Sequence, residues 1–109
     1  MKSYSRGDVV LVRYPFSDLS GSKVRPAVIV NAPHTSQDIF ILPLTSKTKS
    51  LQLGEFLLKD WRNAGLNVET AVKRSVYTVH QSLIVQRVGR LSALDLKDLD
   101  DCLRQWLGL

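Results

Sequence analysis

The sequence predicts a single domain, residues 1–109, that is mainly β: a small barrel of five to seven short strands closed by a C-terminal helix. Three observations lead to this fold class. The chain has 109 residues, enough for one hydrophobic core and little more. Up to residue 91, short apolar runs rich in β-branched and aromatic residues alternate with turn-forming residues. From Ser92 onward the apolar residues recur at helical spacing instead.

The first three strands are predicted from apolar runs bounded by polar residues, glycine and proline. Residues 9–14 are nearly continuous in apolar character, which predicts a strand buried on both sides for part of its length. Residues 25–30 form the second strand and residues 39–42 the third. Pro43 then indicates an edge position or a bulge, because proline cannot donate to a ladder. The polar run 45–50 is predicted to be a loop.

Shorter elements follow the polar run. Residues 53–58 are a candidate for a short strand, and residues 59–64 are predicted to form one helical turn that ends at Gly65. Strands around residues 70–78 and 83–91 complete the predicted β body.

The last segment is predicted to be a helix with one apolar stripe. Ser92 and Asp95, three residues apart, have the form of a capping box, and Gly108 is expected to end the helix. Cys102 lies within this helix and has no histidine near it in sequence, so we expect a small buried hydrophobe rather than a nucleophile. The stripe consists of Leu96, Leu99, Leu103, Trp106 and Leu107.

The charge distribution favours an anionic partner on the β part of the molecule. The net charge is +5 at pH 7 and the pI is about 9.7, which favours nucleic acid without requiring it. Four aspartates are clustered in the last segment, so we expect the helix to lie outside any basic groove. They are Asp95, Asp98, Asp100 and Asp101.

Several classes of protein are disfavoured by composition. No apolar run is long enough to span a bilayer, and the polar start of the chain carries no secretory signal, so we expect a cytoplasmic protein. The two histidines, His34 and His80, are far apart, and no CxxC or HxxxH spacing is present. The sequence therefore predicts neither a metal site nor a cofactor.

Two short segments carry residue types suited to a phosphate. Pro26 restricts Arg25 to extended geometry, so its guanidinium, a bidentate phosphate donor, projects from a fixed backbone. The hydroxyls of Thr45 and Ser46 beside Lys47 could also hold a phosphate. Taken singly, each segment is better explained by a solvated arginine or an ordinary polar turn.

The ordered set of segments resembles the MazF/PemK toxin family. The main blocks are GDVVLV at residues 7–12, KVRPAVIV at 23–30 and LPLTSK at 42–47. Later blocks are similar to those of PemK-like members: DWRNAGL at 60–66, SLI at 82–84 and GRLS at 89–92. Each block alone is weak evidence, whereas the ordered set spans nearly the whole chain.

This resemblance implies an SH3-like barrel of the CcdB/MazF type that forms a homodimer and cleaves single-stranded RNA at short sequences without a metal. It also implies a cognate antitoxin that blocks the site. By position, Arg25 and Thr45 match the catalytic arginine and threonine of the family, and Ser46 matches an RNA-contacting hydroxyl. The segment 17–23 matches a mobile loop over the RNA groove, which adds three RNA-binding candidates: Ser17, Ser20 and Lys23.

One block departs from the family pattern. PemK-type members often have a cation followed two residues later by an acidic or amide residue, whereas residues 72–76 here contain cations and no carboxylate. Lys73 and Arg74 are therefore candidates for RNA binding, and Tyr77 could stack on a base. His80 could titrate near neutral pH, but a lone histidine there is more often a surface residue. The general base stays unassigned.

The residue types are consistent with RNA cleavage by the 2′-hydroxyl, which would give a 2′,3′-cyclic phosphate and a 5′-hydroxyl. Arginine keeps its proton under ordinary conditions, so Arg25 suits stabilisation of phosphate charge better than proton donation. Two other functions stay open. One is a toxin that poisons a protein target such as a topoisomerase through the terminal helix. The other is a nucleic-acid-binding module without turnover, which would tolerate Arg25→Ala.

Overall fold

The computed structural model describes residues 4–14, 23–31 and 37–109. These residues form seven strands, one 3₁₀ turn (Gln81–Leu83) and a helix. In chain order they are β1 (Asp8–Tyr14), β2 (Lys23–Ile29), β3 (Asp38–Thr45), β4 (Phe56–Leu57), β5 (Ala71–Val72), β6 (Tyr77–His80), β7 (Ile84–Arg90) and α1 (Ala93–Leu107). The prediction of a mainly β fold with a C-terminal helix is confirmed.

The strands form one antiparallel sheet in the order β4-β5-β3-β2-β1-β7, with β6 also paired to β3. Among the described strands this path stays open rather than closing into a ring. The β1–β7 pairing shifts register twice, once between Val9 and Val10 and once between Leu11 and Val12. Irregularities of this kind increase local twist and bend a sheet.

Two hydrophobic cores occupy the two faces of the sheet. The helix-side core joins Leu99 of α1 to Val9, Val28, Leu42, Leu44, Leu58, Ala64, Val72 and Leu91. The second core contains Val10, Val12, Ala27, Ile29, Ile39, Ile41, Val79 and Ile84. Because neighbouring residues of β1 enter different cores, this strand is buried on both sides, as its continuous apolar run predicts.

Asp8, at the start of β1, has a structural role. Its side chain is fully buried, and its Oδ2 accepts a hydrogen bond of 2.8 Å from the N–H of Ser5. Arg87 and Arg90 of β7 approach its carboxylate oxygens at 3.6 and 3.7 Å. A buried charge requires such partners, so the glycine-aspartate pair fixes the N-terminal turn against β7.

The helix begins and ends where the sequence predicts. Ser92 is the N-cap, and its hydroxyl accepts a hydrogen bond of 3.2 Å from the N–H of Asp95. The Asp95 carboxylate, however, is fully buried and accepts the N–H groups of Lys59 and Asp60 at 2.8 and 2.9 Å. It therefore joins α1 to the turn after β4 instead of completing a capping box. Gly108, with a φ of 71°, closes the helix.

The predicted helical turn before Gly65 is confirmed in detail. Leu66 donates to the carbonyl of Trp61 and Gly65 to that of Arg62, both at 3.1 Å, which is the bonding pattern of a Schellman motif. Gly65 has a φ of +85°, as that motif requires. Its backbone also lies directly against Gly89 of β7, so neither glycine has room for a side chain.

The predictions around Pro43 are corrected by the structure. The third strand does not end at Leu42 but continues to Thr45, and it is paired on both sides, so an edge position for Pro43 is wrong. The alternative, an irregularity, is confirmed. Ile41 of β3 pairs with Tyr77 of β6, and Leu44 of β3 pairs with Val72 of β5. The two β3 residues are three positions apart in sequence, whereas their partners are five apart, so the facing side has two extra residues here. The strand predicted over 70–78 is thereby split into β5 and β6.

Candidate functional site

The β2–β3 register brings Arg25 and Thr45 together. Ala27 pairs with Pro43, and the two following pairs keep the same register. Continuing it by two residues sets Arg25 opposite Thr45 on the adjacent strand. Opposite residues of an antiparallel pair have Cβ atoms about 5 Å apart, so the two side chains can bind the same phosphate.

Both side chains lie on the face of the second core. Side chains alternate along a strand, so Arg25 shares a face with Ala27, and Thr45 shares a face with Ile41. Ala27 and Ile41 both belong to the second core. Arg25 is exposed and Thr45 is half-buried. The helix packs on the opposite face, which agrees with the expectation that it lies outside a basic groove.

The Thr45 hydroxyl is oriented by the backbone. Its Oγ1 accepts a hydrogen bond of 3.0 Å from the N–H of Lys47. A hydroxyl has one proton to donate and two lone pairs, so this bond uses an acceptor position and leaves the O–H to donate. Ser46 and Lys47 are exposed beside it, at the end of β3.

Three further predicted residues reach this face. Lys23, two residues before Arg25 on β2, shares its face and is exposed. Lys73 donates its N–H to the carbonyl of Pro43 at 3.0 Å, which extends the β3–β5 register by one pair. Lys73 therefore lies across from Pro43, and its exposed side chain is on the same face of the sheet as Thr45. Tyr77 pairs with Ile41 and is 37% exposed there. The structure thus gathers cations and an aromatic ring around Arg25 and Thr45.

Three cations of this face have no ion partner among the other described residues. No ion pair joins Arg25, Lys47 or Lys73 to another residue of the described ranges. The aspartates of α1 are instead engaged locally: Asp98 with Lys59 at 3.3 Å, Asp101 with Lys97 at 3.3 Å, and Asp100 with Arg6. The described cations around Arg25 therefore favour an anion on this face, whereas Asp98, Asp100 and Asp101 of α1 are balanced by cations of their own.

Arg74 is not brought to the site. Its guanidinium donates to the carbonyl of Leu53 at 2.9 Å, and its N–H lies 3.5 Å from the Glu55 carboxylate. Its Cδ also borders Gly54, which contacts Trp106 of α1. The expectation that Arg74 binds RNA is therefore not supported, because its side chain is held at the segment before β4.

His80 is also separated from the site. It pairs with Asp38, seven residues from Thr45 along β3, which corresponds to about 23 Å. Its Nδ1 accepts the N–H of Ser82 at 3.1 Å and caps the 3₁₀ turn. His80 therefore lies at the opposite end of β3 from Thr45.

Glu69 is a residue that the sequence interpretation missed. Its Oε1 accepts a hydrogen bond of 2.9 Å from the hydroxyl of Thr48, three residues after Thr45. The β3–β5 register, in which Thr45 pairs with Ala71, sets Glu69 across from Lys47 when continued by two residues. Only that long-range register, and no local signal, could have identified it.

The structure also bears on the predicted loop residues, on metal binding and on membrane spans. Ser17 and Ser20 lie outside the described residues. In the described ranges, no cluster of three or more His, Cys, Asp or Glu residues is arranged to hold a metal ion. The same ranges contain no helix with the length and apolar character needed to cross a membrane.

Cys102 shows the properties of an unreactive thiol. It is half-buried on α1, and burial, followed by the nearby charges of Asp98 and Asp101, raises its pKa above the ordinary value. Because the thiolate is the nucleophilic form, this environment agrees with the packing role that the sequence predicts.

Comparison with known proteins gives one family and one fold. The family described as PemK-like, MazF-like toxin of type II toxin-antitoxin system matches residues 5–107. Among curated protein sequences no match is found.

Solved structures give matches over the whole fold. The chain is similar to MazF from Deinococcus radiodurans (TM-score 0.76, 20% identity, 100% of each chain covered). It is also similar to an endoribonuclease in complex with its cognate antitoxin from a Mycobacterial species (TM-score 0.75, 18% identity, covering 100% of this chain and 97% of that one). A third is the Mycobacterium tuberculosis toxin MazF-mt6 (TM-score 0.73, 18% identity, 94% and 97% covered). At these identities the structural likeness establishes the fold.

Proposed function

The chain belongs to the PemK-like, MazF-like toxins of type II toxin–antitoxin systems, and from this premise we propose that it is a sequence-specific endoribonuclease acting on single-stranded RNA. The observation that carries the proposal is the β2–β3 register, which when continued by two residues sets Arg25 opposite Thr45. A structurally similar chain is itself an endoribonuclease, which supports the same activity.

The reaction that fits this site is transesterification within the RNA. The 2′-hydroxyl oxygen attacks the adjacent phosphorus, the bond from phosphorus to the 5′-oxygen breaks, and the products are a 2′,3′-cyclic phosphate and a 5′-hydroxyl. The proton lost by the 2′-hydroxyl is balanced by the proton that the 5′-oxygen gains. Since the RNA supplies its own nucleophile, the protein must mainly orient the chain and stabilise charge on the phosphate.

Arg25 and Thr45 are the groups that stabilise this charge. The Arg25 guanidinium donates to the non-bridging phosphate oxygens, and the Thr45 hydroxyl, oriented by the N–H of Lys47, donates to the same phosphate. Lys23, Lys47 and Lys73 bind neighbouring phosphates, with a contribution from Ser46. Tyr77 stacks on a base beside the cleaved bond.

The proposed partner proteins follow from the same face. An extended acidic segment of a cognate antitoxin would complement the cations around Arg25 and exclude RNA. The similar mycobacterial endoribonuclease occurs in complex with its cognate antitoxin. We also propose that the chain acts as a homodimer in the cytoplasm, where its RNA substrate is found.

Cleavage of long single-stranded RNA in EDTA, with mapping of the new ends, tests the proposal. The wild-type protein should cut at a short recurring sequence. Arg25→Ala and Thr45→Ala should each lower kcat by roughly 10²–10³-fold, as loss of an oxyanion donor does in other enzymes. Arg104→Ala, which removes an exposed arginine of α1, is the matched control and should cleave normally.

Two outcomes would overturn the proposal. Intact RNA in several sequence contexts, with growth arrest retained in Arg25→Ala and lost on changing α1, would indicate a poison of a protein target. Binding of RNA without cleavage by the wild-type protein would indicate a binding module without turnover.

A further inference from the structure

Two hydrogen bonds tie down the segment that follows β3. The N–H of Lys47 binds Oγ1 of Thr45 at 3.0 Å, and the hydroxyl of the next residue, Thr48, binds Oε1 of Glu69 at 2.9 Å. The first bond sets the direction of the Thr45 hydroxyl. The second attaches the same segment to Glu69, two residues before β5, which pairs with β3.

Glu69 is well placed to act as an anchor. The next two residues, Thr70 and Ala71, are buried at 3% and 0% exposure. The carbonyl of Thr70 accepts the N–H of Leu58 at 2.9 Å, and its hydroxyl donates to the carbonyl of Val68 at 2.8 Å. The backbone on either side of Glu69 is thus fixed, while its carboxylate extends to Thr48.

The Thr45 hydroxyl needs this support because a threonine side chain has several staggered positions. A donor that already points at the phosphate stabilises the transition state without reorganisation. The N–H of Lys47 selects one position, provided that the segment carrying it keeps its conformation. The bond from Thr48 to Glu69 holds that segment one residue further along.

We propose that Glu69 is a positioning residue for RNA cleavage: through Thr48 it fixes the segment 46–48, so that the Lys47 amide presets the Thr45 hydroxyl for the phosphate. This inference rests on the proposed endoribonuclease function. Glu69 acts as a hydrogen-bond acceptor in this role, and its negative charge is not required.

Substitutions that separate the acceptor from the charge test this role. Thr48→Val removes the donor at nearly constant shape, Glu69→Ala removes the acceptor, and Glu69→Gln keeps an acceptor without the charge. Thr48→Val and Glu69→Ala should each lower kcat about fivefold, the size of one hydrogen bond, with little change in KM. The double variant should lose no more than either single one, and Glu69→Gln should stay within about twofold of wild type.

Controls distinguish positioning from loss of fold and from proton transfer. Thr78→Val makes the same change at an exposed threonine of β6 on the other face of the sheet and should leave kcat unchanged. Wild-type kcat in Thr48→Val would overturn the proposal. So would a large loss in Glu69→Gln together with loss of the acidic limb of the pH–rate profile, which would make Glu69 a proton acceptor.

A readout that does not depend on cleavage separates this inference from the proposed function. Amide hydrogen exchange at Lys47 should be slow in the wild-type protein and several-fold faster in Thr48→Val and Glu69→Ala, with melting temperatures close to wild type. If wild-type protein fails to cut RNA while these exchange rates change as stated, the proposed function is wrong and the fixed segment is real. Unchanged exchange in both variants refutes the positioning role itself.

Discussion

Asp95 offers the sharpest test of how the helix is attached to the β part of the molecule. Its carboxylate is fully buried and accepts the N–H groups of Lys59 and Asp60 at 2.8 and 2.9 Å. It also lies in the first turn of α1, where a negative charge is favoured by the helix dipole. Replacing Asp95 by alanine removes all of these interactions at once.

The expected loss of stability follows from the two amides. A hydrogen bond to a charged group contributes about 1.5–3 kcal/mol, so two such bonds give roughly 3–6 kcal/mol. Because the bonds are only partly shielded from water, water can replace part of what is lost, and the lower end applies. We therefore expect Asp95→Ala to lower the free energy of unfolding by about 3 kcal/mol. For a domain of this size that corresponds to a fall in Tm of about 10–15 °C.

Urea and thermal unfolding followed by circular dichroism measure this change. The matched control is Asp101→Ala, which removes an exposed carboxylate of the same helix that is paired with Lys97, and should cost no more than about 0.5 kcal/mol. A loss below about 1 kcal/mol for Asp95→Ala, indistinguishable from the control, would refute the role given to these two bonds. Since Arg25 and Thr45 lie on the other face, RNA cleavage well below the new Tm should be retained.

Two further predictions concern a glycine contact and the thiol. In Gly89→Ala the new Cβ would lie 2.1 Å from the carbonyl oxygen of Ala64, and since backbone atoms cannot rotate away, we expect a loss of about 3 kcal/mol or more in urea unfolding. Gly108→Ala, at φ +71° with no atom within 4 Å, should lose only about 1 kcal/mol; equal losses would contradict the clash. For Cys102, whose pKa is raised, alkylation by iodoacetamide at pH 8 should be slower in native than in urea-unfolded protein, and the gap should narrow as pH rises through the raised pKa. Equal alkylation rates at pH 8 would rule out a raised pKa of Cys102 in the native protein.

The elements that depend on neighbouring residues were predictable from the sequence. The apolar run of β1, the N-cap at Ser92, the end of the helix at Gly108 and the turn at Gly65 all lie where the sequence places them. Each is determined within a few residues by side-chain period, capping or a positive φ. The packing of Trp106 against the helix-side core is predictable for the same reason.

Which residues share the site was decided only by strand register. A shift of one residue in a strand moves a side chain to the other face of the sheet. Sequence alone therefore could not separate Lys73, which lies across from Pro43 on the face of Thr45, from Arg74, which is bound to Leu53. Pro43 indicated an irregularity near this point, but the number of extra residues between β5 and β6 was visible only in the strand pairing.

The sequence by itself determined the fold class, the identity of Arg25 and Thr45 as candidates, and the positive charge of the β part. The tertiary structure decided the β2–β3 register, which when continued by two residues sets Arg25 opposite Thr45. It also decided that Thr45 ends a strand instead of beginning a loop, that His80 lies about 23 Å away along β3, and that Glu69 reaches the segment after Thr45. The physical reason is that local patterns specify elements, whereas distances between residues far apart in the chain depend on which strands pair and in which register.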